Sequence, residues 1–164
     1  GDLDVLAGSP YTGRIEWYEN WGHGDVYCRP AVVNATGQWG KIAAKGSVFV
    51  PDNGLTLSAR HLPPSSLAFF LTSQTQGFIA SPPNSIGNLC LSFPIGRYVG
   101  PGQVLTSSPV GTVELALDLG MTPTPTGFTQ VMPGDTWNFQ CWHRDSAGGM
   151  PTSNFTDAVS VTLQ

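Results

Sequence analysis

From Trp137 to Arg144 the chain alternates strictly: Trp137, Phe139, Cys141 and His143 take one set of positions, and Asn138, Gln140, Trp142 and Arg144 the other. Side chains that change side at every residue belong to a β-strand with one face on a core. Val159, Val161 and Leu163 alternate in the same way with Ala158, Ser160 and Thr162. Two long strands therefore close the chain, joined through a loop over residues 146–153, with Gly148-Gly149 and Pro151, as a β-hairpin or sheet corner. Period-two counting sets Trp142 on the face opposite Trp137, Phe139 and Cys141. If a second layer covers that face, Trp142 is core; if none does, it marks a contact surface.

Upstream, shorter segments follow the same rule. Residues 2–6 and 14–18 alternate on either side of a turn-rich stretch, and either is a candidate edge strand. Residues 41–50 and 55–60 flank Pro51-Asp52-Asn53-Gly54, whose Asn-Gly pair favours a tight hairpin turn; in the second arm Leu55, Leu57 and Ala59 point one way. Leu67-Ala68-Phe69-Phe70-Leu71 is apolar on both faces, as in a central strand covered on both sides. Short strands follow at 76–79, 88–93 and 97–99. Residues 112–118 alternate with Val113, Leu115 and Leu117 inward, and the Thr- and Pro-rich residues 121–127 read as a loop or extended crossover. These segments predict an all-β chain: a two-sheet antiparallel β-sandwich of about ten to twelve short strands, Ig-like or jelly-roll-like. Residues 1–25 form an N-terminal segment, a candidate edge or exchanged strand, and residues 26–164 a single sandwich domain.

Composition supports this outline. Twenty glycines and 14 prolines break the chain too often for long helices, and 164 residues suffice for one core. Only 11% of residues are charged and the net charge is −4, so the surface is uncharged but polar, without the basic footprint of a nucleic-acid binder. No run of about 18 apolar residues exists to insert in a membrane. The chain begins at Gly1 without a basic-then-apolar leader, as removal of a signal peptide, or trimming, would leave it.

Three cysteines allow one disulfide and leave one thiol over; their spacing fits no zinc pattern. Cys28–Cys90 is favoured, because Cys141 sits on the apolar face of its strand as a small buried hydrophobe. Trp17, Tyr18 and Trp21 crowd into five residues and either cap one end of the sandwich or offer a platform for sugar rings or a neighbouring subunit. We expect no cofactor, with calcium held by Asp2 and Asp4, or by Asp25 with nearby carbonyls, as the lesser alternative.

Catalytic signatures are weak. His143-Arg144-Asp145 matches the start of the kinase catalytic-loop signature, but Met150 stands where its metal-binding Asn belongs. Asp135 and Asp145, at opposite ends of one strand, lie about 30 Å apart, too far for a glycosidase pair. We expect His143 to pack or hydrogen-bond near a strand end, and Arg144 to pair with Asp145 or Asp157. Asn34-Ala35-Thr36 and Asn154-Phe155-Thr156 fit the glycosylation sequon.

Several ordered motifs carry a resemblance: Asn34-Ala35-Thr36-Gly37, Gly54-Leu55-Thr56-Leu57-Ser58-Ala59, Phe70 through Phe78, Gly87-Asn88-Leu89-Cys90-Leu91, Ile95-Gly96-Arg97-Tyr98, Trp137-Asn138-Phe139-Gln140, Trp142-His143-Arg144-Asp145 and Ser153-Asn154-Phe155-Thr156-Asp157. Over residues 26–164 the chain resembles a β-rich domain at the C-termini of secreted and surface proteins of planctomycete bacteria. The resemblance implies export, a β-rich fold and the Cys28/Cys90 pair, and no activity. Cys141 departs from it, since such domains more often carry a small or polar residue there, and residues 1–25 match nothing in it.

Two non-enzymatic expectations follow. The first is a secreted, extracellular or cell-surface structural subunit that binds copies of itself into a fibre or surface layer. Leu3 and Val5 would add a strand to the next subunit, and the aromatic patch would bury against it. The alternative is a carbohydrate-binding or adhesion module. There Trp17, Tyr18, Trp21, Trp39 and Trp142 would stack on a polysaccharide, with Asn138 and Gln140 as hydrogen-bond partners.

Overall fold

The computed structural model describes residues 22–164, together with the backbone of residues 5–8 and 15–18. Its strands are β1 (Val5–Gly8), β2 (Ile15–Tyr18), β3 (Asp25–Tyr27), β4 (Lys41–Gly46), β5 (Leu55–Arg60), β6 (Leu67–Ser73), β7 (Gln76–Ile79), β8 (Leu89–Leu91), β9 (Gly96–Arg97), β10 (Leu105–Thr106), β11 (Val113–Ala116), β12 (Thr122–Thr124), β13 (Gly127–Thr129), β14 (Thr136–Ala147) and β15 (Met150–Thr162). The fold is all-β, as the alternation predicts, with more and shorter minor strands than expected. A six-stranded sheet runs β10-β6-β14-β15-β3, with β9 also on β6, and a three-stranded sheet runs β11-β5-β4. The pairs β1–β2, β7–β8 and β12–β13 form separate two-stranded sheets.

The main core lies between the two larger sheets. Trp137, Phe139 and Cys141 of β14, Val159 and Val161 of β15 and Phe70 of β6 pack there against Ile42, Ala44, Leu55, Leu57, Ala59 and Val113 of the small sheet. Cys141 is buried and unbridged within it, a small apolar filler as expected. Fully burying a ring such as Phe139 contributes about 1.5–3 kcal/mol. β6 lies inside its sheet, with β14 on one side and β9 and β10 on the other, and its faces go to different cores, Ala68 and Phe70 to the main one and Phe69 and Leu71 to a smaller one, which accounts for its apolar character on both faces.

The hairpin β14–β15 departs from expectation at its turn. Instead of a loop over 146–153, pairing continues to Ala147↔Met150. Only Gly148 (φ 57°) and Gly149 (φ 80°) remain between them. Two consecutive left-handed residues are what a type I′ turn requires, and glycine supplies them without strain. The expected Asn-Gly turn between β4 and β5 is wider. Residues 47–54 connect the arms through a 3-10 turn at Val50–Asp52, capped by left-handed Asn53 (φ 45°). Residues 121–127, expected as a loop or extended crossover, contribute an extended strand to the small β12–β13 hairpin, with Pro123 in an edge strand where its missing N–H is tolerated.

A β-bulge interrupts β15. Gln140 pairs with Ala158 but Trp142 with Phe155, so Thr156 and Asp157 together face Cys141. The Cys141 N–H donates to Thr156 Oγ1 (3.0 Å), and the displaced Asp157 accepts the Ile42 N–H (2.7 Å) from β4. The extra residue reverses the side-chain sequence, so Phe155 packs on the outer face of the large sheet while Val159 and Val161 pack on the inner one.

Candidate functional site

Asn138, Gln140 and Trp142 occupy the outer face of the large sheet, as period-two counting predicts, but that face is not free. β7 and β8 lie over it, and Leu89 and Leu91 pack with Leu71 and Phe155 in a second, smaller core. Gln140 is fully buried beneath them and makes three hydrogen bonds. Its Nε2 donates to Asn88 O (2.9 Å) and Thr156 O (2.8 Å), and its Oε1 accepts the Cys90 N–H (2.9 Å). Asn138 Nδ2 donates to Ser73 O (3.2 Å). Both amides are buried, so their expected role as sugar partners is lost: the covering layer holds Gln140, and Asn138 bonds to the neighbouring strand β6 of its own sheet.

The Cys28–Cys90 disulfide forms as expected and ties this layer to the end of β3. The Tyr27 hydroxyl adds a hydrogen bond to Cys90 O (3.0 Å), and burial holds its pKa well above that of a free tyrosine. Beyond the covered part, a groove of about 400 Å³ opens around Trp142, walled by Phe69, Leu71, Phe93, Ile95 and Phe155. Phe69 stacks on Trp142 with centroids 4.7 Å apart, and the Arg144 guanidinium lies 5.7 Å from the indole centroid. Trp142 is therefore half-buried, neither core nor free platform. Its partners escaped sequence reasoning because only the register, Trp142↔Phe69 and Trp142↔Phe155, brings them together.

Of the other expected contact residues, Trp39 is not among those lining this groove. Trp39, 42% exposed, sits with the Lys41 ammonium 5.9 Å from its ring and bridges to Val33. Val5 is described at the backbone, where it pairs with Tyr18 within the β1–β2 hairpin. Leu3, Trp21, the side chains of Trp17 and Tyr18, and the calcium candidates Asp2 and Asp4 lie outside the described residues. Asp25 pairs with Ser160 at the sheet edge. Among the described residues no three His, Cys, Asp or Glu side chains gather into a metal-binding group.

The His143-Arg144-Asp145 run is divided among structural tasks. His143 is fully buried, its Nδ1 3.2 Å from the Arg144 carbonyl, and burial lowers its pKa. Asp145 Oδ1 accepts the Ala35 (2.9 Å) and Ser146 (2.8 Å) N–H groups, and its Oδ2 accepts Asn154 Nδ2 (3.0 Å). Among the described residues Arg144 forms neither of the expected ion pairs, with Asp145 or with Asp157; Asp157 meets Arg29 at 3.7 Å, because the bulge turns it towards β4. Burial raises the Asp157 pKa against the opposing pull of the Ile42 N–H and Arg29. Both sequon asparagines are buried and hydrogen-bonded, Asn34 to His61 O and Asn154 to Asp145, so the folded protein has no room for a glycan on either.

Among the described residues no helix is long and apolar enough to cross a membrane. Compared with family models, with curated proteins and with solved structures, the chain matches none.

Proposed function

We propose that this protein is a non-catalytic, secreted structural subunit that associates with copies of itself, the outer edge of β11 accepting a strand from the β1–β2 hairpin of a neighbour. The observation that carries the reading is the state of the sheet edges. Leu117 N–H bonds Leu55 O, so in an antiparallel ladder Glu114 and Ala116 turn their backbone groups away from β5. Among the described residues nothing pairs with them. The opposite edge of the same sheet is closed: Ile42 N–H goes to Asp157, and Ala44 O accepts the His23 N–H. β7 is also an edge, but an irregular one whose pairing with β8 shifts register, a device that discourages addition.

The β1–β2 pair is hydrogen-bonded to no third strand among the described residues, and a two-stranded hairpin alone is marginal in water. Around β11, Leu115 is half-buried at the core margin and Val110 is 79% exposed, so an added strand would cover apolar surface. The disulfide suits an oxidising compartment. The resemblance of residues 26–164 to domains of surface proteins points the same way.

The test is Ala116→Pro. A proline there removes an N–H that is unpartnered in the monomer, so the variant should fold normally and fail to assemble. Deleting residues 1–12 should have the same effect from the donor side. Electron microscopy and light scattering read the outcome. Assembly of Ala116→Pro as efficient as that of the parent protein, or a parent protein that stays monomeric at high concentration, would refute the reading.

A further inference from the structure

In the three-stranded sheet Ile42 and Ala44 of β4, Leu55, Leu57 and Ala59 of β5 and Val113 of β11 pack inward, so Lys41 and Lys45, Thr56 and Arg60, and Glu114 and Ala116 turn outward. Charge is graded along this outer face. At one end Lys41 and Arg60 stand directly opposite each other in register, a like-charge pairing that destabilises a sheet unless something compensates it. In the middle Lys45 reaches Glu114 across β5 (3.3 Å), and beyond Ala116 the Asp118 carboxylate accepts Asn53 Nδ2 (3.3 Å). Lys41 and Arg60 favour the charged form of Asp157, but that carboxylate is buried, takes the Ile42 N–H and meets Arg29. The sheet therefore presents a basic end in a chain whose net charge is −4.

The complementary charge lies at the start of the sequence. Residues 1–21 hold Asp2, Asp4, Glu16 and Glu19 against Arg14 alone, a side-chain charge of −3 out of the chain's −4. Asp2 and Asp4 alternate with Leu3 and Val5. A strand added to β11 continues its pleat, in which Val113 and Leu115 go to the core side and Glu114 to the outer one. Placing Leu3 and Val5 over the apolar margin at Leu115 therefore sets both carboxylates on the outer face, which is the face of Arg60. Neighbouring strands lie about 4.8 Å apart, so Arg60 is about 10 Å from the added backbone, within the joint reach of an arginine and an aspartate. Lys41, one strand further, acts through its field. The same charges choose a register: Val113 pairs with Ala59, beside Arg60, so the carboxylates are drawn to the Val113 end of β11 and repelled by Asp118 from the other.

We propose that the Lys41–Arg60 end of the small sheet is the electrostatic dock for Asp2 and Asp4 of a neighbouring copy, and that it fixes which face the incoming strand turns to the core and which half of β11 it lies along. Resting on strand addition at β11, this dock is a separable component of it: the backbone ladder holds the strand, and the charges steer and register it. Steering by opposite charge raises association rates by about tenfold to a thousandfold at low salt.

The experiment compares full-length chains: the parent, a donor-reversed chain (Asp2→Lys with Asp4→Lys) and an acceptor-reversed chain (Lys41→Glu with Arg60→Glu). Light scattering follows the rate of assembly and electron microscopy its product. Raising salt from about 0.01 M to about 0.15 M shortens the Debye length from about 30 Å to about 8 Å and should slow the parent about tenfold. Each reversed chain alone should assemble about tenfold or more slowly than the parent at low salt, and an equal mixture of the two should recover, since each then carries the donor that the other's dock accepts. Should the acceptor-reversed chain not fold, Lys41→Gln with Arg60→Gln replaces it; that chain should assemble slowly at either salt concentration, and adding Asp2→Asn with Asp4→Asn should slow it no further. Reversed chains that assemble at the parent's rate, while Ala116→Pro blocks assembly, would overturn the dock and leave strand addition standing. A parent that stays monomeric would overturn both. A mixture that fails to recover would assign the basic end to the chain's own N-terminal segment, and dextran sulfate binding that needs Lys41 and Arg60, with assembly unaffected by their loss, would assign it to an external polyanion; either result overturns the proposal.

Discussion

Replacing Gln140 by Met isolates what a single buried amide does for the outer layer. The two side chains have nearly the same length and volume, so no cavity term enters. What is lost is the set of three hydrogen bonds to Asn88 O, Thr156 O and the Cys90 N–H, all beneath β7 and β8. A net hydrogen bond is worth about 1 kcal/mol, and an orphaned buried group costs about 1–3 kcal/mol. The Cys90 N–H is the most expensive orphan, because a carbonyl has a second lone pair to offer elsewhere. The sum is about 3–4 kcal/mol, a fall in Tm of about 10 °C for a chain of this size. Urea unfolding with the disulfide intact measures the loss, and an unchanged m-value shows that two-state unfolding is preserved. Hydrogen exchange adds a local readout, since the Cys90 amide should lose protection before the core strands do. A loss under about 1 kcal/mol, with Cys90 still protected, would refute the idea that Gln140 pins the outer layer.

Removing the disulfide with Cys28→Ala and Cys90→Ala opens a loop with a sequence separation of 62. Chain entropy then predicts a loss of about 4 kcal/mol, checked by equilibrium unfolding without reductant. His143 sets an acid limit. Burial lowers its folded pKa below the unfolded value of about 6.5, so the unfolded chain binds more protons and stability falls as pH drops from there through the folded pKa. His143→Leu should flatten the decline in urea midpoint as pH falls below about 6.5; an unaltered slope would show that another group is responsible. Asp157 acts in the opposite sense: its raised folded pKa gives a gain in stability as pH falls through it, a gain that should persist in His143→Leu.

Alternation made the main core legible, because Trp137, Phe139 and Cys141, and Leu55, Leu57 and Ala59, each share a face that period two alone assigns. The two-sided character of β6 was visible for the same reason. Alternation names a face, however, and says nothing of what covers it. Gln140 reads as solvent-facing because its covering layer comes from residues some fifty positions away in sequence. Phe155 changes face through the bulge, which no periodicity announces.

The bulge at Thr156 and Asp157 makes β15 one strand with two allegiances. Its C-terminal half belongs to the inner core and its turn-proximal half to the outer one, so the spacing between Phe155 and Val159 fixes the phase between them. Deleting Thr156 would close the bulge into a regular ladder with Phe155 still opposite Trp142 and Val159 still opposite Phe139, whereas inserting one residue there would leave each half correctly patterned and shift one of them out of register with β14. Point substitutions test the strength of individual contacts in this protein; its tolerance of changes in length at that one place tests whether the two cores can exist independently.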